Sequence, residues 1–128
     1  IYDPVTKIIG MVHYMLPDST QIRNNQNIAK FGDTGIAETV ARMEKMGASR
    51  SRMVAKIAGG AQMFAFKSDN DMLRVGQRNV EAVKQKLAQL NIKILAEDTG
   101  LNYGRTVEFY PANGDFVIKS VGKPVQTI

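Results

Sequence analysis

The only histidine of the chain, His13, is its best candidate for a side chain that moves protons. Imidazole titrates near neutral pH, so a histidine can act first as a general base and then as a general acid. His13 lies in an apolar segment, where a lone histidine is more often a core residue with one satisfied hydrogen bond. The catalytic interpretation requires a nucleophile within hydrogen-bonding reach. The chain has no cysteine and no serine in a nucleophile-elbow pattern, so the residues alone leave both interpretations open.

Two further groups of residues could in principle bind or polarise a substrate. Gly59 and Gly60 follow a predicted strand but belong to no phosphate-binding pattern, so they favour a tight strand exit, with an oxyanion site as the weaker alternative. Glu97 and Asp98 would point in different directions in an extended segment. They therefore favour a polar turn after a strand that ends at Ala96. With no cysteine and one histidine, we expect neither a metal site nor a cofactor.

The segment that contains His13 is predicted to be a strand. Side chains alternate from Lys7 to Leu16, and both faces are mostly apolar, so we expect this strand to be central in a sheet and buried on both sides. Residues 19–30 are polar and rich in Asn and Gln, without periodicity, and predict a mobile loop. His13 would thus be fixed by a buried strand.

Two amphipathic segments predict helices that pack on the sheet. The first spans residues 33–46, with Asp33 or Thr34 as its cap and Gly47 as its stop, and the second spans residues 77–90. Asn-Gly at residues 113 and 114 predicts a tight hairpin turn between the last two strands. The remaining strands are predicted at residues 53–58, 92–96, 105–110 and 115–121. This order predicts an α+β fold, with a mixed or largely antiparallel sheet and two main helices, in a single domain over residues 1–128.

Composition and charge limit the classes of function. The chain has 128 residues, of which 44% are hydrophobic and 23% charged, values that suit one globular domain. Lys or Arg interrupts every apolar run, so we expect a cytoplasmic protein without membrane insertion. The net charge is +5 and the pI about 9.6, but the basic residues are spread along the chain rather than gathered in a stripe. Charge therefore gives little support for a nucleic-acid partner and is equally compatible with an acidic protein surface.

The first residues predict a hairpin that is not complete. Tyr2, Asp3 and Pro4 are typical of a strand that runs into a turn, because proline fixes its own φ and aspartate can hydrogen-bond nearby backbone. A hairpin needs a strand before its turn, and Ile1 is not an initiator methionine. We therefore expect the natural protein to start upstream of Ile1.

Several segments together resemble the CheD family of chemoreceptor glutamine deamidases, in their order and spacing as well as in their residues. The resemblance spans nearly the whole chain, and its Gly-Gly-Ala and Arg-Asn-Val segments make it specific. Leu101 and Tyr103 depart from it, since a second glycine and an arginine are common at those positions. The matching segments are Tyr-Asp-Pro at 2–4, Gly-Met-Val-His-Tyr-Met-Leu-Pro at 10–17, Lys-Phe-Gly-Asp-Thr at 30–34, Ala-Lys-Ile-Ala-Gly-Gly-Ala-Gln-Met-Phe at 55–64, Gly-Gln-Arg-Asn-Val at 76–80 and Ala-Glu-Asp-Thr-Gly at 96–100.

This resemblance implies a cysteine-dependent amidohydrolase that converts glutamine side chains on the cytoplasmic helices of chemoreceptors to glutamate. It also implies an association with CheC, and an α+β sandwich similar to that of toxin deamidases. His13 matches the family's catalytic histidine. The family's cysteine nucleophile and its threonine would both fall before Ile1, so the chain is expected to lack its N-terminal strand or strands. The alternative is a non-catalytic module that binds a chemotaxis partner such as CheC.

Overall fold

The computed structural model describes residues 1–21, 27–63 and 74–128. Within them the chain forms two helices, Gly32–Met46 (α1) and Val75–Gln89 (α2). Short 3-10 turns span Ser19–Gln21, Ile28–Lys30 and Arg50–Arg52. The strands of the same residues are Tyr2–Asp3 (β1), Ile8–Ile9 (β2), Val54–Gly59 (β3), Lys93–Thr99 (β4), Thr106–Tyr110 (β5), Asp115–Lys119 (β6) and Gln126–Thr127 (β7).

The described strands form two sheets. The first has the order β2-β1-β3-β4, with β1 antiparallel to both of its neighbours and β3 parallel to β4. The second is antiparallel, with the order β5-β6-β7. A parallel pair needs a crossover connection, and α2 provides it between β3 and β4. The predicted α+β class with mixed and antiparallel sheets is confirmed, while the expected similarity to toxin deamidases stays a prediction.

Helix α1 supplies the centre of the core. Ile36, Val40 and Met43 recur on one face of the helix and are almost completely buried. They pack in one cluster with Leu87 of α2 and Ala55 of β3. The helix ends where the sequence predicts, because Gly47 adopts a left-handed φ of 113°, which a glycine tolerates.

The predicted cap of α1 is wrong. Phe31 occupies the cap position and makes no side-chain cap hydrogen bond. The Asp33 carboxylate instead accepts hydrogen bonds from the backbone N–H of Ser19 at 3.0 Å and from its hydroxyl at 2.7 Å. The Thr34 hydroxyl donates to the carbonyl of Ile28 at 2.5 Å. Both candidate caps therefore tie the predicted loop of residues 19–30 to α1; its residues 22–26 lie outside the described residues.

The prediction of a central strand from Lys7 to Leu16 is also wrong. Only Ile8–Ile9 is strand, and β2 lies at the edge of its sheet. The Met11, His13 and Met15 side chains are exposed. The side chains between these three, at positions 12, 14 and 16, are half-buried. One face of the segment is therefore covered and the other is open to solvent, although the residues on both faces are mostly apolar.

A third correction concerns Glu97 and Asp98. The predicted turn after Ala96 does not exist, because parallel pairing between β3 and β4 continues until Gly59 pairs with Thr99. Glu97 and Asp98 are therefore strand residues with side chains on opposite faces.

The hairpin β1–β2 is fixed to the rest of the sheet through Asp3. Its fully buried carboxylate accepts hydrogen bonds from the guanidinium of Arg52, at 2.8 and 3.1 Å, and from the backbone N–H groups of Ser49, Val5 and Thr6. Arg52 and, after it, these N–H groups hold the pKa of Asp3 well below its usual range. The aspartate of the predicted Asp-Pro turn therefore does bond nearby backbone, and it does so as a buried, charged side chain.

The two sheets are joined by ring contacts and by hydrogen bonds, two of which come from Lys56. The Tyr2 ring of β1 packs on Phe109 of β5 with 5.4 Å between centroids, and Phe109 packs on Phe116 of β6 at 5.9 Å. From β3, the Lys56 ammonium donates to the carbonyl of Gly114 at 2.7 Å and to that of Ile128 at 2.6 Å. These contacts hold the second sheet against the first.

Candidate functional site

A cavity of about 800 Å³ lies between the two sheets, the segment that contains His13, and α2. Most of its wall is apolar and comes from β3, β5, β6 and α2. The polar side chains along this wall are few: His13, Tyr14, Lys56, Asn79, Thr99, Tyr103, Arg105 and Thr106. A mostly apolar cleft with a small number of polar groups is typical of a ligand or substrate site.

His13 lies on this cavity with its side chain exposed to solvent. The core interpretation of the histidine is therefore wrong for this chain, because a core imidazole would be buried. The backbone before it is held by Gly10, whose N–H donates to the carbonyl of Ile1 at 2.9 Å. The backbone after it is held by Met15, whose N–H donates to the carbonyl of Lys30 at 2.9 Å.

The other face of the same segment packs on the two helices. A Cβ built at Gly32 would lie only 3.0 Å from the Tyr14 ring, and one at Gly35 3.0 Å from a Val12 methyl group. A larger residue at either place would force Tyr14 or Val12 to shift by a few tenths of an ångström, because the segment approaches the first turn of α1 so closely. The Tyr14 hydroxyl donates to the main-chain carbonyl of Asn79 in α2.

Of the predicted glycine pair, only Gly59 is among the described residues that line the cavity. Both glycines have left-handed φ values, 113° for Gly59 and 69° for Gly60, as a tight strand exit requires. A Cβ at Gly60 would lie 2.3 Å from a Val80 methyl group and 2.8 Å from the carbonyl oxygen of Gly76. The preferred interpretation, a strand exit with close backbone approach, is confirmed; an oxyanion role stays a prediction.

Glu97 and Asp98 do not act together on one atom, in agreement with the sequence analysis. Glu97 forms an exposed ion pair with Lys84 at 3.0 Å. Asp98 pairs with Arg105, which is 2% exposed and also donates to the carbonyls of Gly100 and Tyr103. Neither carboxylate is among the described residues that line the cavity.

Sequence reasoning missed the two basic side chains that contact the ring of Tyr103, a residue of the cavity wall. The Arg105 guanidinium lies 4.4 Å from the centroid of the Tyr103 ring, and the Lys123 ammonium lies 4.3 Å from it. Each of these cations is within the distance at which the electron-rich face of an aromatic ring attracts a positive charge. The only signal in the sequence was Tyr103 itself, which stands where the resemblance leads one to expect an arginine.

No group of three or more His, Asp or Glu side chains that could hold a metal ion occurs in the part of the chain that the structure describes. In that same part, neither helix has the length and apolar character needed to cross a bilayer.

Comparison with known proteins identifies related sequences. Residues 15–120 match the family model described as CheD chemotactic sensory transduction. A protein of Lachnoclostridium phytofermentans named as a probable chemoreceptor glutamine deamidase CheD is 68% identical over the whole chain, which covers 80% of that protein. Two proteins named chemoreceptor glutamine deamidase CheD are also similar. The protein of Halalkalibacterium halodurans is 52% identical over 94% of this chain and 75% of its own length. The protein of Bacillus licheniformis is 46% identical over 100% of this chain and 77% of its own length.

The region matched by the family model begins just after His13, so that match does not include the histidine. The alignments with the proteins of Lachnoclostridium phytofermentans and Bacillus licheniformis cover the whole chain and do include its position.

Proposed function

The chain belongs to the CheD family, and we propose that it forms the larger part of a chemoreceptor glutamine deamidase in which His13 is the general base. The family assignment supports the reaction, the hydrolysis of a glutamine carboxamide to glutamate and ammonia. The observation that supports the residue is the position of His13, the only histidine, at the open side of the apolar cavity.

The proposed reaction proceeds through a thioester. His13 removes the proton of a cysteine thiol, and the thiolate attacks the carboxamide carbon of the glutamine. The imidazolium then gives that proton to the departing amino group, so ammonia leaves and a glutamyl thioester remains. His13 next removes a proton from water, which attacks the thioester and releases glutamate and the thiol. Two easier steps replace the slow direct attack of water on an amide.

The cysteine and the threonine that orients His13 are proposed to come from residues that precede Ile1 in the natural protein. The register of the hairpin β1–β2 supports this location. Tyr2 pairs with Ile9, and Ile1 and Gly10 exchange both backbone hydrogen bonds at 2.9 Å. If the pairing continues, the third residue before Ile1 lies opposite His13. Residues two positions to either side of it share that face. A thiol on that face would lie within reach of the imidazole.

Chemoreceptors are the proposed substrate, through the cytoplasmic helices that the family modifies. The net charge of +5 is compatible with an acidic, amphipathic helix as a partner, because opposite charges speed encounter. A cytoplasmic location follows from the proposed substrate. CheC is proposed as a further partner on the basis of the family resemblance alone.

The decisive experiment is a deamidation assay with the full-length protein and purified receptor cytoplasmic fragments. Ammonia release and the mass change of receptor peptides would be measured for the wild type, for His13→Ala, and for Met46→Ala as an exposed control at the far end of α1. We expect His13→Ala to lose activity by at least about 100-fold, the usual contribution of a general base, with unchanged circular dichroism. Activity of His13→Ala close to that of the control would refute the assignment of His13.

A second candidate function is a binding module that regulates a chemotaxis partner without catalysis. It rests on the family resemblance, which implies an association with CheC. Calorimetry of the full-length protein with receptor fragments or CheC, in parallel with the ammonia assay, separates the two functions. Binding with no ammonia release from the wild type would support the module and contradict the deamidase.

A further inference from the structure

The segment that contains His13 contacts α2 through the residues that follow the histidine. Among the described residues, no backbone hydrogen bond is made by residues 11–14, between Gly10, which bonds to Ile1, and Met15, which bonds to Lys30. Residues before Ile1 are proposed above to continue the ladder on one side of this segment. The contacts of the residues that follow His13 hold its backbone from the helix side.

Asn79 of α2 contacts both residues that follow His13. Its side-chain amide nitrogen donates to the main-chain carbonyl of Met15 at 3.1 Å, and its own main-chain carbonyl accepts the hydroxyl of Tyr14. The two contacts cross 64 and 65 residues of sequence. Burial raises the pKa of Tyr14 to about 12, so this hydroxyl stays protonated and can donate at any pH suitable for an assay.

The side-chain amide of Asn79 uses its two polar atoms differently. Its oxygen is buried and has no hydrogen-bond partner among the described residues. Its nitrogen donates to Met15, and this is the contact of the side chain that bears on the backbone next to His13.

We propose that Asn79 and Tyr14 are positioning residues for His13, which together hold the backbone on its carboxyl side so that the imidazole points to the substrate glutamine. This role rests on the proposed function of His13 as the base. Both residues line the cavity, but the hydrogen bonds that they make go to the backbone of residues 15 and 79. Their loss changes the fraction of time that His13 spends in the reactive orientation, which lowers kcat and leaves substrate binding intact.

Two conservative variants of the full-length protein test the proposal. Tyr14→Phe keeps the ring that packs against Gly32 and removes only the hydroxyl. Asn79→Asp keeps the size of the side chain and replaces the N–H donor toward Met15 by a carboxylate oxygen. Glu81→Gln, exposed on the same helix, is the matched control.

We expect Tyr14→Phe and Asn79→Asp each to lower kcat by about tenfold, less than the roughly 100-fold effect that misplacement by 1 Å can have, with KM within about twofold of the wild type. A second readout is the proton and carbon resonance of the His13 ring, assigned by its disappearance in His13→Ala. In both variants this signal should shift and broaden as the ring gains mobility, and in Glu81→Gln it should not change.

The outcomes separate this proposal from the proposed function. If His13→Ala abolishes deamidation while Tyr14→Phe and Asn79→Asp keep the wild-type kcat, His13 is the base and the positioning role is refuted. If His13→Ala remains active, the assignment of His13 as the base fails. The His13 ring resonance then tests whether Tyr14 orients the histidine at all, and an unchanged signal in Tyr14→Phe refutes that role as well. Tyr14→Phe removes a single atom, so it keeps the test possible even if Asn79→Asp does not fold.

Discussion

Replacing Gly60 by alanine should destabilise the protein more than its backbone conformation alone explains. Gly60 has a φ of 69°, and a Cβ there would lie 2.3 Å from Val80 and 2.8 Å from the carbonyl oxygen of Gly76. Val80 can rotate away, but the Gly76 carbonyl belongs to the backbone of the first turn of α2. Gly122 offers a matched control, since its φ is 72° and a Cβ would meet nothing within 4 Å.

The difference between the two variants isolates the steric part. Left-handed backbone costs an alanine about 1–2 kcal/mol, and this cost is common to both sites. Overpacking adds about 1–3 kcal/mol at Gly60 only. Gly122→Ala should thus lose about 1–2 kcal/mol and Gly60→Ala about 2–5 kcal/mol. At roughly 4 °C per kcal/mol for a chain of this length, the expected falls in Tm are about 4–8 °C and 8–20 °C.

Thermal and urea denaturation, followed by circular dichroism, would measure both variants. An equal loss of stability in Gly60→Ala and Gly122→Ala would show that the added methyl group at Gly60 does not clash with the Gly76 carbonyl oxygen, from which it would lie only 2.8 Å away. The reasoning from close approach would then be refuted, although the role of glycine in the turn would stand.

Two further predictions concern stability. Asp3→Asn should destabilise the protein at neutral pH, because Arg52 would lose its buried charged partner. Since the pKa of Asp3 is lowered by folding, its contribution is present above the ordinary aspartate pKa of about 3.9 and is lost as pH falls toward the folded value. The gap between wild type and variant, measured by urea denaturation from pH 7 downward, should therefore narrow below about pH 4; a constant gap contradicts this linkage. Leu87→Ala, at a core position that is 1% exposed, should lose about 2–5 kcal/mol in urea titrations, against less than about 0.5 kcal/mol for Leu95→Ala, which is 51% exposed; similar losses in both would place Leu87 outside the core.

The elements with one strong local signal could be predicted from the sequence. Helix α1 has an apolar stripe and a glycine stop at Gly47, and both act over a few residues. The hairpin of β5 and β6 has alternating side chains and an Asn-Gly turn, and its register joins Thr106 to Lys119 and Tyr110 to Asp115. In such cases the local pattern and the tertiary structure agree.

The segment around His13 could not be predicted correctly, for a physical reason. Alternating apolar side chains on both faces are typical of a central strand, but Met11 and Met15 are exposed, whereas Val12 and Tyr14 contact the helices. A pattern of residue types cannot distinguish a face that a sheet covers from one that remains open. The same limit applied to β4, which extends to Thr99 because it pairs with β3.

The candidate site was predicted only in part. His13 was identified as a residue, and its place on an open cavity adds the geometry that the sequence lacked. Asn79 was not identified, because its contacts join backbone and side-chain groups more than 60 residues apart and leave no periodic signal. The resemblance had nevertheless included it, in the Gly-Gln-Arg-Asn-Val segment at the start of α2.

Lys56, which bonds the first sheet to the second, also limits how far the two sheets can move apart at the cavity. Its ammonium donates to the main-chain oxygens of Gly114 and Ile128 at the same time. The sheets cannot separate there without breaking these two short hydrogen bonds. The opposite wall is fixed as well, because Asn79 of α2, which lines the cavity beside Val80 and Val83, bonds to Tyr14 and Met15. Hydrogen bonds therefore set the width of the cavity on both sides, and a change in that width would require some of them to break.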